Sequence, residues 1–176
     1  MAARSNIGED RVRAWARGLP RHATVLDLGC GHGVPLARAL LEDGVVLYGI
    51  DASPSMIAAF RERFPNVSAE CNAVEASDLF RRTFDGVMAW GLMFLLAPES
   101  QELVVRKVSQ ALGPRGRFLF TAPAQACEWQ DALTGLKSVS LGAEAYSHLL
   151  SAAGLMVTAQ EQDDGENHYY LATKNA

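Results

Sequence analysis

The chain has 176 residues, 49% of them hydrophobic and 20% charged, with a formal net charge of −4 at pH 7. Those proportions exclude a disordered polymer, and the acidic balance argues against a broad nucleic-acid surface, which needs clustered Lys and Arg. Cys30, Cys71 and Cys127 have no paired metal-ligand spacing, so no metal is expected, and an odd, unpaired set suits a reducing, cytoplasmic setting.

In chain order, Val12, Trp15, Ala16 and Leu19 recur at i, i+3, i+4 and i+7, which predicts an amphipathic helix stopped by Pro20. Val25-Leu26-Asp27-Leu28 predicts a strand that runs directly into the turn Gly29-Cys30-Gly31-His32-Gly33. A helix follows, with Pro35 in its first turn and Gly44 near its end. The apolar run 45–50 predicts a second strand closed by Asp51. Ser53 caps a third helix that has Pro54 at its first position and ends near Phe64, before Pro65. Residues 67–71 predict a third strand, 74–82 a short helix and loop, and 84–89 a fourth strand. Pro98 opens a helix with Val104, Val108, Ala111 and Leu112 facing inward, ended by Gly113 and Pro114 before a fifth strand. Residues 122–142 lack either periodicity and are expected to form a long irregular connection, the kind that serves as a lid or binding loop. Tyr146, Leu149, Leu150 and Ala153 mark a last helix ended by Gly154. Residues 155–160 and 168–173 then predict two strands joined through the hairpin signal Asp163-Asp164-Gly165.

Strands alternating with helices predict an α/β fold, a largely parallel sheet covered on both faces. One domain is expected over 1–176, with a helical segment at 1–22 and a core at 23–176. No signal-peptide run or bilayer-length apolar stretch occurs, so no membrane partner is expected.

The strand, glycine turn, helix, strand and acid over 25–51 form a nucleoside-binding half, with Asp51 set for ribose hydroxyls. Alternate glycines permit a tight turn and the approach of a ligand to bare peptide N–H groups. The dinucleotide fingerprint G-x-G-x-x-G/A fits Gly29 and Gly31, but its third position is Val34, the glycine falling one residue early at Gly33. Asp27, two residues before the first glycine, would repel a pyrophosphate in a partly dry site. It suits a ligand with an ammonium group and no phosphate, and S-adenosylmethionine is such a ligand.

The stretch 25–33 resembles the first motif of the class I S-adenosylmethionine-dependent methyltransferases, and Asp51 within 49–56 resembles their second. Asn72-Ala73 stands where the family usually has Asp-Ala near the adenine. Residues 84–89 and 112–120 resemble the fourth strand and the turn into the fifth. The resemblance runs from about Ala23 to Lys174. It implies a Rossmann-like three-layer sandwich whose seven-stranded, mostly parallel sheet has an antiparallel last strand. It also implies a cofactor site for S-adenosylmethionine, with S-adenosylhomocysteine as product, drawn from Asp27, Gly29, Cys30, Gly31, Gly33, Asp51, Ala52, Met56, Asn72, Ala73 and Ala89. Asn72 departs from the pattern, since an amide bonds an adenine edge without charge.

The expected activity is transfer of a methyl group, by in-line displacement, to a small-molecule acceptor. The short chain leaves no room for a substrate domain, and residues 89–92 lack the Asp-Pro-Pro-Tyr type signature of members that methylate exocyclic amines. The alternatives are a binding protein without transferase activity and a methyltransferase acting on a macromolecule. Trp90 and Phe94 in the apolar run 90–96, and Trp129 and Asp131 in the connection 122–142, are the expected substrate contacts. Among the histidines, His22 precedes the first strand on the wrong edge, His32 lies in the glycine turn, and His148 adjoins a buried helix stripe. His168 opens the last strand. If that strand is antiparallel, Asn167, His168 and Tyr169 approach the site, and His168 is the candidate general base.

Overall fold

Successive residues of a strand point to opposite faces of its sheet, and here both faces are apolar. The strands are β1 (Thr24–Leu28), β2 (Val46–Asp51), β3 (Ser68–Cys71), β4 (Phe84–Ala89) and β5 (Leu112–Thr121), followed by β6 (Cys127–Gln130), β7 (Lys137–Ser140), β8 (Leu155–Gln162) and β9 (His168–Lys174). Val25, Leu47, Met88, Leu119 and Tyr169 turn to a layer of α1 (Glu9–Ala16), α2 (Leu36–Glu42) and α3 (Pro54–Arg63), meeting Val12, Leu40 and Phe60. Leu26, Val87, Phe118, Phe120 and Tyr170 turn to α4 (Pro98–Ala111) and α5 (Ala143–Ala152), meeting Val104, Val108, Tyr146 and Leu150. The computed structural model describes residues 8–132 and 135–176. Residues 1–7 of the expected N-terminal segment, and 133 and 134 of the expected lid, lie outside the described residues.

The sheet has seven strands in the order β3-β2-β1-β4-β5-β9-β8. β1 to β5 pair in parallel, and β9 inserts antiparallel between β5 and β8. This is the Rossmann-like sandwich expected from the sequence. Because Thr121 at the end of β5 faces Tyr169 near the start of β9, residues 167–169 do reach the edge where the parallel strands finish.

Three expectations need correction. The connection 122–142 is not irregular: β6 and β7 form a separate antiparallel hairpin, with Trp129 opposite Ser138. Its short strands gain their order from tertiary contacts, so the sequence carries no long alternation to announce them. The short helix expected within 74–82 is a single turn, Leu79–Arg81, and its three residues have φ of 49°, 58° and 51°, so it is left-handed and not a regular helix. Gly113 and Pro114 do not themselves stop α4; β5 already begins at Leu112. The β4–β5 register then shifts after Phe84, Leu112 facing Phe84 and Arg117 facing Gly86, so the two residues sit in an irregularity of the strand.

Gln101 of α4 fixes the hairpin to the sheet. Fully buried, its Nε2 donates to the carbonyls of Leu96 and Val139, each at 2.9 Å, while its Oε1 accepts from Tyr146 Oη at 2.7 Å. One side chain therefore joins α4, the turn after β4, β7 and α5. Gln101→Met keeps the shape but strands these buried partners. Unfolding in urea is expected to report a loss of about 1–3 kcal/mol, with the hairpin loosened.

Candidate functional site

The glycine turn is held to β2 by its own amides. Gly29 N and Cys30 N donate to the Ile50 carbonyl at 2.8 and 3.0 Å, and Gly31 N donates to Asp51 Oδ2 at 2.9 Å. Gly33 N bonds Cys30 O at 3.1 Å, and Val34 N bonds His32 Nδ1 at 3.3 Å. The turn therefore does not present the bare N–H groups expected of it. An anion-binding nest needs converging free amides, and those of Gly29, Cys30 and Gly31 are already engaged.

Each glycine has its own reason. Gly31 has φ +53°, and a Cβ there would meet none of the described residues within 4 Å, so among these its outer face is open to a ligand. At Gly29 a Cβ would come within 3.2 Å of Leu92. At Gly33 it would come within 2.5 Å of Phe64 and 2.9 Å of Phe60, which makes this residue a packing contact with α3. Cys30 is buried, and its Sγ packs where a side chain on Gly49 would lie. Burial, with Asp27 and Asp51 nearby, pushes its thiol pKa upward, so Cys30 offers backbone and bulk, not a nucleophile.

Asp27 sits across from Gly49 and Met88. It is 4% exposed, and no hydrogen bond from the described residues reaches its carboxylate. Burial, and then the neighbouring Asp51, raise its pKa to about 8. A buried carboxylate without a partner is costly, and this one lies beside an open-faced glycine.

Asp51 is better supplied. Its Oδ1 accepts from Ser53 N at 2.8 Å and its Oδ2 from Gly31 N at 2.9 Å. A carboxylate has about four acceptor positions, so two remain on a half-buried side chain. Ala52 and Met56 follow on the same edge, both exposed, with Met56 in the first turn of α3. Asn72 N bonds Asp51 O, and Asn72 Nδ2 donates to Glu70 Oε1 at 2.9 Å, which leaves Asn72 Oδ1 as the free end. Ala73 is exposed beside it, and Ala89, at the end of β4, is fully buried.

A cavity of about 500 Å³ opens on the same edge, beyond β5 and β9. Phe94, Trp129, Thr121, Gln125, Asn167 and His168 are among its lining residues. The rings of Phe94 and Trp129 lie 5.4 Å apart, tilted by 42°. Thr121 Oγ1 accepts from Gly91 N at 2.8 Å and holds the 90–96 segment to β5. That segment touches the glycine turn through Leu92 and the cavity through Phe94, so the two halves of the site adjoin. Leu92 and Gln125 lie in the expected segments 90–96 and 122–142 but were not singled out, because neither carries a motif and both matter only through where the chain folds back.

Of the expected substrate contacts, Phe94 and Trp129 line this cavity, while Trp90 and Asp131 do not. Trp90 belongs to the opposite face, where its Nε1 donates to Tyr169 Oη at 3.2 Å and its ring lies against Gly8. Asp131 stands at the hairpin turn, its N bonded to Leu136 O at 2.8 Å. His168 lines the cavity; its Nε2 is 3.0 Å from Gln160 Oε1, and burial lowers its pKa below the usual histidine value. Tyr169 is buried and donates to Asp163 Oδ2 at 2.7 Å. His22, His32 and His148 are exposed and outside this cavity.

A roomier cavity, about 690 Å³, lies at the other edge, where β4 and β5 begin. Its Lys107 ammonium is already taken by the carbonyls of Val74, Glu75 and Ser77 at 2.9, 2.8 and 2.6 Å. Ligands of such sheets bind beyond the carboxyl ends of the parallel strands, so the edge carrying Asp27 is the candidate site. Among the described residues no cluster suits a metal ion, and no helix is long and apolar enough to cross a membrane.

The raised pKa of Asp27 has a consequence for stability. Its carboxyl holds a proton more tightly folded than unfolded, where it titrates near its ordinary value of 3.8. Stability is therefore full below that value and falls as pH rises toward about 8. Asp27→Asn is expected to flatten this decline and, near pH 8, to raise the melting temperature of the ligand-free protein. A gain of 1 kcal/mol corresponds to about 2–4 °C at this size. Melting curves of both proteins across pH check it.

Comparison with known proteins gives a family and a fold. A family profile described as "Methyltransferase domain" matches residues 25–116, slightly more than half of the chain. No curated protein matches the sequence significantly. Solved structures of the same fold include the 1,6-didemethyltoxoflavin-N1-methyltransferase of Burkholderia thailandensis, with bound 1,6-didemethyltoxoflavin and S-adenosylhomocysteine. It aligns with a TM-score of 0.79 at 20% identity, over 96% of this chain and 79% of its own. CalS10 from Micromonospora echinaspora, an amino pentose methyltransferase bound to S-adenosylmethionine, aligns at 0.75 and 20% identity, over 97% and 90%. The glycopeptide N-methyltransferase MtfA aligns at 0.78 and 19% identity, over 95% and 96%.

Proposed function

The chain belongs to the methyltransferase domain family, and we propose that it transfers the methyl group of S-adenosylmethionine to a small molecule held in the cavity of Phe94, Trp129 and His168. The observation that carries the donor half is Asp27: a buried carboxylate with no hydrogen-bond partner among the described residues, beside a glycine turn whose amides are engaged and whose Gly31 has no described residue against its outer face. This fits a ligand with an ammonium and no phosphate. It does not fit the pyrophosphate of a nicotinamide dinucleotide, which wants free amides.

Bound there, S-adenosylmethionine supplies an activated methyl group on sulfur. Asp27 would take the ammonium of its amino-acid tail, and the open side of Gly31 would admit the tail. Asp51, with two acceptor positions left by Ser53 N and Gly31 N, would take the ribose hydroxyls. Ala52 and Met56 would border the base, and Asn72 Oδ1 and Ala73 its edge. Cys30, Gly33 and Ala89 contribute by shaping backbone and core.

The residues on the acceptor side position and desolvate. Methyl transfer from an activated donor depends on an oriented nucleophile and on exclusion of water. The Phe94 and Trp129 rings supply a dry wall. His168, whose pKa burial lowers, is the group proposed to accept a proton from an acceptor that must lose one. The small-molecule reading is supported by the cavity volume of about 500 Å³, within the usual range for such sites. Two of the related structures also point that way, being named for a didemethyltoxoflavin and an amino pentose. The third is named for a glycopeptide, so larger acceptors are the competing reading.

Asp51→Ala removes the ribose acceptor and the anchor of Gly31. S-adenosylhomocysteine affinity is expected to fall by about 1.5–3 kcal/mol, roughly ten- to a hundredfold, with circular dichroism unchanged. Equal affinity of variant and parent in titration calorimetry contradicts the assignment.

A further inference from the structure

We propose that the acceptor cavity selects a flat ring that is neutral or positively charged and turns away anions, with Glu166 as the selecting group. The proposal rests on the reading of this cavity as the acceptor site and adds the class of molecule that fits it.

The ring preference comes from the aromatic wall. Phe94 and Trp129 are both half-buried, held at 5.4 Å by the hairpin on one side and the 93–95 turn on the other. Half-buried aromatic faces at a cavity edge gain most from a flat partner, which covers them without a large entropic cost.

The charge preference comes from what else lines the cavity. Besides Phe94, Trp129, Thr121 and small apolar residues, its described polar groups are Gln125, Gln162, Asn167, His168, Cys127 and Glu166. Neither Lys nor Arg is among them. Glu166 is exposed, has φ +63°, and its carboxylate takes no bond from the described residues. Asp163 lies behind it and stays ionised, its pKa lowered by bonds from Tyr169, Asn167 and Gly165 that outweigh its burial. Arg11 and Lys137, on elements that adjoin β8 and β6, are paired with carboxylates: Arg11 with Glu161 at 2.7 Å, and Lys137 with Glu128 at 2.9 Å. Among the described lining residues an anionic acceptor would meet the Glu166 carboxylate and neither Lys nor Arg. A cationic one would meet a carboxylate and a π-face, both favourable.

The segment 163–168 holds Glu166 in place. Asp163 Oδ1 accepts from Gly165 N and Asn167 N, each at 2.9 Å, and Glu166 N donates to Asp163 O at 3.0 Å. Asn167 Nδ2 also donates to both Asp163 oxygens, at 3.1 and 3.0 Å. The turn is thus built around Asp163, and Glu166 projects from a closed loop, not a loose one.

Three indoles that differ in charge test the idea: tryptamine, tryptophol and indole-3-propionate, titrated calorimetrically at neutral pH into the full chain with and without saturating S-adenosylhomocysteine. Tryptamine is expected to bind about tenfold more tightly than indole-3-propionate, with tryptophol between them. Glu166→Gln should bring tryptamine to the level of tryptophol and leave tryptophol unchanged. Trp129→Leu should weaken all three. Indole-3-propionate binding as well as tryptamine, an unchanged ratio in Glu166→Gln, or no binding by any indole overturns the proposal. Titration of S-adenosylhomocysteine alone separates the two readings: its failure to bind defeats the methyl-transfer reading, whereas normal binding with a flat indole order defeats only this one.

Discussion

Three consecutive amides, those of Gly29, Cys30 and Gly31, are bonded to the end of β2, and the rest of the site follows from that. The turn is drawn flat against the sheet and its donors are occupied, so it offers a surface where a phosphate-binding loop would offer a nest. Asp51 belongs to the same arrangement: it holds Gly31 and the start of α3 at once, yet keeps acceptor positions for a ligand. With the donors occupied, Asp27 is a buried carboxyl beside the turn that takes no hydrogen bond from the described residues. In the proposed reading a site of this polarity selects a cation where a Rossmann dinucleotide site selects an anion.

The acceptor half is built by different means. The turn after β4 contacts the glycine loop through Leu92 and the cavity through Phe94. Gln101 ties that turn to the β6–β7 hairpin, and the hairpin brings Trp129 to Phe94. β9, because it runs antiparallel, returns His168 and its neighbours to the same edge. Shape on this side depends on long-range packing, whereas on the proposed donor side Asp27, the glycine turn and Asp51 sit within one βαβ unit.

That difference decides how much the sequence could reveal. The succession of strands and helices, the largely parallel sheet and the position of Asp27, Gly31 and Asp51 at the ends of β1 and β2 were legible, because glycine spacing and strand-terminal acids are local signals tied to backbone geometry; the order of strands in the sheet was not read from the sequence. The reach of His168 to the site edge was legible too, given an antiparallel last strand. The hairpin was not: strands as short as 127–130 and 137–140 carry no periodicity, and a buried glutamine on another helix orders them. Trp90 reads in sequence like a pocket wall, but strand alternation puts it with Met88 on the α1 side, against Tyr169. Gly33 reads like part of the ligand loop, while its neighbours Phe60 and Phe64 make it a packing residue.

Keeping Asp27 buried, with no partner among the described residues, costs stability, a cost that the ligand's ammonium offsets in the proposed reading. The most direct measurement is the protonation change on binding. S-adenosylhomocysteine is titrated calorimetrically into the protein near pH 7 in buffers of different ionisation enthalpy, with NAD as the comparison. With Asp27 titrating at about 8 before binding and ionised afterwards, the account predicts tight binding, net proton release visible as a buffer-dependent heat, and no binding of NAD. Tight NAD binding, or S-adenosylhomocysteine binding with a heat independent of buffer, would contradict it.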